Sequence, residues 1–152
     1  MAGVIAFVNS GNVALVAATA KSILQVKAPA NQRLVIRTIR ITGLQPAGGT
    51  DTPVTIRMTQ NSANFGTFSA ATAGKQDTSN AEALQGTYGK NATVEPTSPT
   101  DSGLQWDVQP QGGLVEFLPL DQWIPVPGGR SVQFEATSPG TPTLLMTLAV
   151  EE

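Results

Sequence analysis

The sequence predicts an all-β protein, a single β-sandwich or jelly-roll-like domain with a long polar loop. Three observations predict it. Runs rich in Val, Ile and Thr alternate apolar and polar residues with period two, the repeat of a half-buried strand. Pro- and Gly-containing turn signals separate those runs at short intervals. The length, 152 residues and 15.8 kDa, suits one domain, and hydrophobic residues at 40% can fill one core.

Gly3–Val8 opens the chain as an apolar, β-prone leader that Asn9-Ser10-Gly11-Asn12 interrupts. Residues 1–12 read as a leader strand or arm, and residues 13–152 as the sandwich. A leader standing alone would invite pairing with another chain, which makes Val4, Ile5, Phe7 and Val8 candidate assembly contacts. Pairing within its own sheet is the equal alternative. If the leader is an arm, removing residues 1–8 leaves a folded protein. Charge does not precede the apolar run, since the first cation is Lys21, so the start does not read as a cleaved secretory signal. No stretch approaches the ~20 uninterrupted apolar residues of a spanning helix.

Residues 13–24 carry two readings. Val13, Val16, Ala17, Ala20, Ile23 and Leu24 fit a helical stripe, while the strands around them favour a hairpin bending near Thr19–Ser22. Arg33–Thr42 is a strand closed by Gly43. Its alternation slips, with Leu34 and Ile36 on one face and Ile39 and Ile41 on the other, so a bulge or bend is expected near Arg37-Thr38, where the strand could pass between sheets. Pro53–Thr59 alternates cleanly with Val54, Ile56 and Met58 inward.

Residues 61–103 are rich in Ser, Thr, Ala, Gly and Asn, and read as a long loop, with a short helix possible around 79–84. Glu95–Thr100 should be extended and helix-free because of its prolines. Leu114–Leu118 is a strand, and Trp123–Val126 an edge-like piece because Pro125 lacks a ladder donor. Ser131–Ala136 places Val132, Phe134 and Ala136 on one face. Thr143–Val150 is apolar on both faces, which suits a central strand. Turns are expected at Pro29–Gln32, Pro46–Gly49, Pro127–Gly129 and Pro139–Pro142. About eight strands would complete such a sandwich.

The chain has no Cys and no His. No disulfide, thiol nucleophile, Cys/His zinc site, Ser-His-Asp triad or histidine switch can form within it. Net charge is −2, which gives no drive toward nucleic acid or an anionic membrane. Charge is graded along the chain. Residues 1–50 hold five basic residues and no acid, whereas residues 101–152 hold seven acids and one Arg. Early and late strands paired in one sheet would place opposite charges across the ladder. A basic face meeting an acidic face on a neighbouring copy is the alternative.

Catalysis would have to rest on carboxylates and hydroxyls. Asp107, Glu116 and Asp121 lie near Trp106 and Trp123 in sequence, but nothing in the spacing sets two carboxyls at a hydrolase separation. No phosphate-loop or EF-hand pattern occurs, so no catalytic, cofactor or metal residue is assigned. Trp106 and Trp123 are candidates for stacking against a carbohydrate ring.

Taken together, Ala6-Phe7-Val8-Asn9-Ser10-Gly11, Ala28-Pro29-Ala30-Asn31-Gln32-Arg33, Pro125-Val126-Pro127-Gly128-Gly129-Arg130 and the terminal strand ending Val150-Glu151-Glu152 resemble small head proteins of tailed bacteriophages. Among these the chain is most similar to capsid decoration (cement) proteins, including those of thermophilic siphoviruses. The motifs are turn and strand signals spread over most of the chain. The low charge departs from the usual thermophile pattern. The resemblance implies a non-enzymatic structural protein on the outer surface of the virion, a homotrimer that clamps the major capsid protein of the expanded shell. A carbohydrate-binding sandwich of a phage fibre or adhesin is the alternative, and a hydrolase using Asp107 and Glu116 a third reading.

Overall fold

Alternating apolar residues build thirteen strands among the residues that the computed structural model describes, 3–44 and 52–152. They are β1 (Ile5–Asn9), β2 (Val13–Ala14), β3 (Lys21–Lys27), β4 (Leu34–Leu44), β5 (Val54–Asn61), β6 (Thr67–Ala70), β7 (Thr72–Lys75), β8 (Thr87–Val94), β9 (Thr100–Val108), β10 (Leu114–Phe117), β11 (Ile124–Val126), β12 (Ser131–Thr137) and β13 (Thr143–Glu151). A 3-10 turn, Leu120–Gln122, precedes β11. All the pairings are antiparallel. One sheet runs β10-β4-β13-β1-β7, with β11 also on β4 and β2 on β13. The other runs β6-β8-β3-β12-β5-β9.

The two sheets enclose one core, as the sandwich expectation requires. Val54, Ile56 and Met58 point inward from β5, and Val132, Phe134 and Ala136 from β12, all at most 2% exposed. Leu144, Met146, Leu148 and Val150 of β13 face them from the first sheet, fully buried. β13 is central, paired with β4 on one side and with β1 and β2 on the other. Among the described residues β11 pairs only with β4, and Pro125, which cannot donate to a ladder, sits exposed in that edge strand.

The slip in β4 is a bulge. Opposite β13, Thr38 pairs Ala149 and Ile36 pairs Val150, so Arg37 is the extra residue. The expected consequence is corrected: the strand stays in one sheet. The added residue restores the phase, so that Leu34, Ile36, Ile39 and Ile41 all face the core and are fully buried.

Of the two readings of the leader, pairing within its own sheet holds. Ile5–Asn9 is not an arm but an interior strand, paired with β13 on one side and β7 on the other. Its alternation explains this: Val4, Ala6 and Val8 are at most 5% exposed and complete the core. Residues 13–24 are neither helix nor hairpin. β2 belongs to the first sheet and β3 to the second, and the chain crosses between them through a turn at Ala17-Ala18.

Residues 61–103 are not one loop. They hold β6, β7, β8 and the start of β9. Residues 79–84 form no helix, and Glu95–Thr100 is helix-free but bends at Thr97-Ser98. Part of this region covers the outer face of the second sheet: Gln25 donates to the Phe65 carbonyl (2.9 Å), Asn61 donates to that of Asn64 (3.1 Å), and the Lys27 ammonium lies 4.0 Å from the Phe65 ring centroid. This cover is why Gln25, Thr59 and Gln133 are buried on an outward face. Turns form at Pro29–Gln32 and Pro127–Arg130, each closed by a backbone hydrogen bond, and the chain bends at Pro139-Gly140. The turn expected at Pro46–Gly49 lies outside the described residues.

One early basic and one late acidic residue meet within the molecule, and a mid-chain Arg meets two late acids. Arg37 pairs with Glu151 across β4 and β13. Arg57 pairs with Glu135 (2.6 Å) and Asp101 (3.4 Å) on the outer face of the second sheet.

Candidate functional site: an aromatic groove at the open edge

β9 ends the second sheet, and β10 and β11 flank β4 at the end of the first. These edges lie on the same side of the sandwich, because the Trp106 indole N–H of β9 donates to the Glu116 carboxylate of β10 (2.5 Å). Between them runs a groove of about 500 Å³, lined by Met58, Gln60, Ser102, Leu104, Gln105, Trp106, Glu116, Leu118, Asp121, Gln122, Trp123, Ile124 and Pro125.

Local sequence explains how each indole is held. Along β9 the residues before Trp106 are exposed, while Trp106 turns inward, half-buried, with its ring 6.2 Å from Phe134 at a 40° tilt. Trp123 follows the 3-10 turn, and its indole N–H donates to the Leu118 carbonyl (3.0 Å). The Arg37 guanidinium lies 4.2 Å from the Trp123 ring centroid while its charge is paired with Glu151. The β4 bulge therefore places a cation against one face of this indole. Both indole N–H groups are engaged inside the protein, and both residues line the groove.

The structure thus brings Trp106 and Trp123 together with Glu116 and Asp121. It does not bring Asp107 to them. Asp107 accepts from the Thr55 hydroxyl (2.7 Å) on the outward face, and Thr55 and Asp107 are paired neighbours. Adjacent strand residues point to opposite faces, so Trp106 inward means Asp107 outward. The pair Asp107 and Glu116 does not share a cleft, which corrects the geometry a hydrolase reading needs.

Leu104 (43% exposed) lines the groove, and three more exposed apolar residues stand next in sequence to lining residues: Val115 (57%), Phe117 (68%) and Leu120 (75%). β10 wears its pattern reversed. Glu116 faces inward to meet Trp106, and Val115 and Phe117 face outward. The leader candidates fare differently from expectation: Val4 and Val8 are core residues, Ile5 is half-buried, and Phe7 alone is exposed. As assembly contacts Val4 and Val8 are excluded by burial in the folded chain.

Sequence reasoning missed Gln60, Gln105 and Gln122, because glutamine carries no chemical signature and Gln60 reaches the groove from a distant strand. The outward Val115 and Phe117 did leave a signal, an apolar-acid-apolar run whose acid takes the inward phase.

A second cluster ties down the chain end. The Glu152 carboxylate accepts from the Tyr88 hydroxyl and from the backbone N–H of Gln85 (2.6 Å) and Gly86 (2.9 Å). Burial, and then the hydrogen bond and charge of Glu152, push the Tyr88 phenol well above the ordinary tyrosine range. Among the described residues no group of three or more acids gathers as a metal site. No family model, curated protein or solved structure matches this chain.

Proposed function

We propose that this protein is a non-enzymatic structural protein that decorates the outside of an expanded phage capsid as a homotrimer, meeting the major capsid protein through the β9–β10–β11 edge. One observation carries the docking surface: Val115, Phe117 and Leu120 stand outward and more than half exposed beside strand edges that lack a partner within the described residues. Apolar side chains gathered at an open sheet edge favour contact with another protein. The resemblance to capsid decoration proteins supplies the partner. Trimeric binding would multiply modest contacts into avidity, and preference for the expanded shell would stabilise that shell against rupture.

Light scattering should give the mass of three chains, and the protein should co-sediment with expanded heads but not with unexpanded ones. Phe117→Asp and Leu120→Asp should keep the native circular dichroism and weaken co-sedimentation. Undiminished binding by both variants would reject this edge, and no binding of the parent protein to heads would reject the function.

A further inference from the structure

The groove beside that edge supports an inference independent of capsid docking. We infer that it is a binding site for a neutral oligosaccharide, with Trp106 and Trp123 as the apolar floor and Gln60, Gln105, Asp121 and Gln122 as the hydrogen-bonding groups.

Three features select this ligand class. The first is the fixed rings. Both indole N–H groups are bonded to the protein, Trp106 to Glu116 and Trp123 to the Leu118 carbonyl, so the side chains are held as platforms before any ligand arrives. Pre-ordered aromatic surface costs little conformational entropy on binding and suits the C–H face of a pyranose ring. The second is the polar set. Glutamine amides both donate and accept, and a carboxylate accepts strongly. Sugar hydroxyls need both roles at once. A purely apolar ligand would strip water from these groups and leave them unpaired, at a cost in affinity. The third is charge. Glu116 and Asp121 line the groove and no Lys or Arg does, so an anionic sugar, a phosphate or a nucleic acid meets repulsion rather than a counter-charge. The volume, about 500 Å³, lies within the range of roughly 300–1,000 Å³ of small-molecule sites.

Arg37 acts as a positioning residue here. It backs the Trp123 ring from one side and is held by Glu151. The chemistry assigned is binding only, because Glu116 is committed to the Trp106 indole and Asp107 faces away.

The test uses the full chain, titrated with cello-, malto- and chito-oligosaccharides and with an oligogalacturonate as the acidic control. At least one neutral series should change tryptophan fluorescence and give a saturable calorimetric isotherm, and the oligogalacturonate should give neither. Trp123→Ala and Gln122→Ala should each weaken that binding, Trp123→Ala by about tenfold or more. Gln122 lies on the exposed turn, so its variant keeps the fold and reads the groove directly. Failure of all three neutral series to bind the parent protein overturns the inference. Equal binding of the acidic control, or full affinity in the Gln122→Ala and Trp123→Ala proteins, overturns it as well.

Discussion

The Trp106 indole N–H donates to the Glu116 carboxylate and so links the last strand of one sheet to the edge strand of the other. The bond closes the open side of the sandwich where no backbone ladder can, because the two strands belong to different sheets. It also explains the inverted pattern of β10: an acid turned inward is acceptable only where a donor meets it.

Glu116→Ala leaves that N–H without its acceptor in a half-buried place. The expected loss is about 1.5–3 kcal/mol of stability, as for a hydrogen bond to a charged group. Denaturant unfolding should show a lower midpoint with an unchanged slope. Glu116→Gln retains an acceptor and should lose less.

Deleting residues 1–8 is expected to unfold the protein rather than free it of an arm. The truncation removes Val4, Ala6 and Val8 from the core and strips the ladders that join β1 to β13 and β7. The truncated chain should lack the cooperative unfolding transition of the parent. The single change Val8→Ala should cost about 2 kcal/mol through lost burial and the space left behind. A folded truncation product would show that β1 is dispensable.

Thr59 and Gln133 are paired neighbours on β5 and β12, and both are 1% exposed. The Thr59 hydroxyl and the Gln133 amide nitrogen have no hydrogen-bond partner among the described residues. Thr59→Val keeps the shape and removes a buried polar atom, so it should be neutral or stabilising by up to about 1 kcal/mol. A thermal melt decides this, and a clear loss of stability would mean that the hydroxyl has a role in the native state.

Alkaline pH should destabilise the fold through Tyr88. Its folded-state pKa is raised above the ordinary value of 10.0 by burial and by Glu152. Below pH 10 both states keep the proton and the contribution is fully present. Above it the unfolded chain loses the proton while the folded one holds it, so stability falls as pH rises. Tyr88→Phe should flatten this alkaline limb in denaturation curves measured across pH 9 to 11. An unchanged limb would assign it to other groups.

Much of the framework was legible because period-two alternation is local. β5, β12 and β13 follow from their own residues, the β4 bulge from a phase slip at Arg37, and the edge position of β11 from Pro125. What was not legible depends on partners far away in sequence. Whether Val4–Val8 stands free or lies between two strands is decided by residues 72–75 and 147–151. β6 and β7 escaped notice because both are largely solvent-facing, so they need few large apolar side chains. Of the site, the indoles and their nearby acids were visible. Their convergence with Gln60, and the divergence of Asp107, follow only from how the two sheets face each other.

The zipping of β1 onto β13 has a consequence for the order of folding. β1, the first strand, docks against β13, far away in sequence, and the backbone N–H of Glu152 reaches the Val4 carbonyl (2.9 Å). The β13 side of β1 therefore stays unpaired until segments far apart in sequence meet, although β7 can pair its other side sooner. Closure over such a long sequence separation is slow and exposes sticky intermediates.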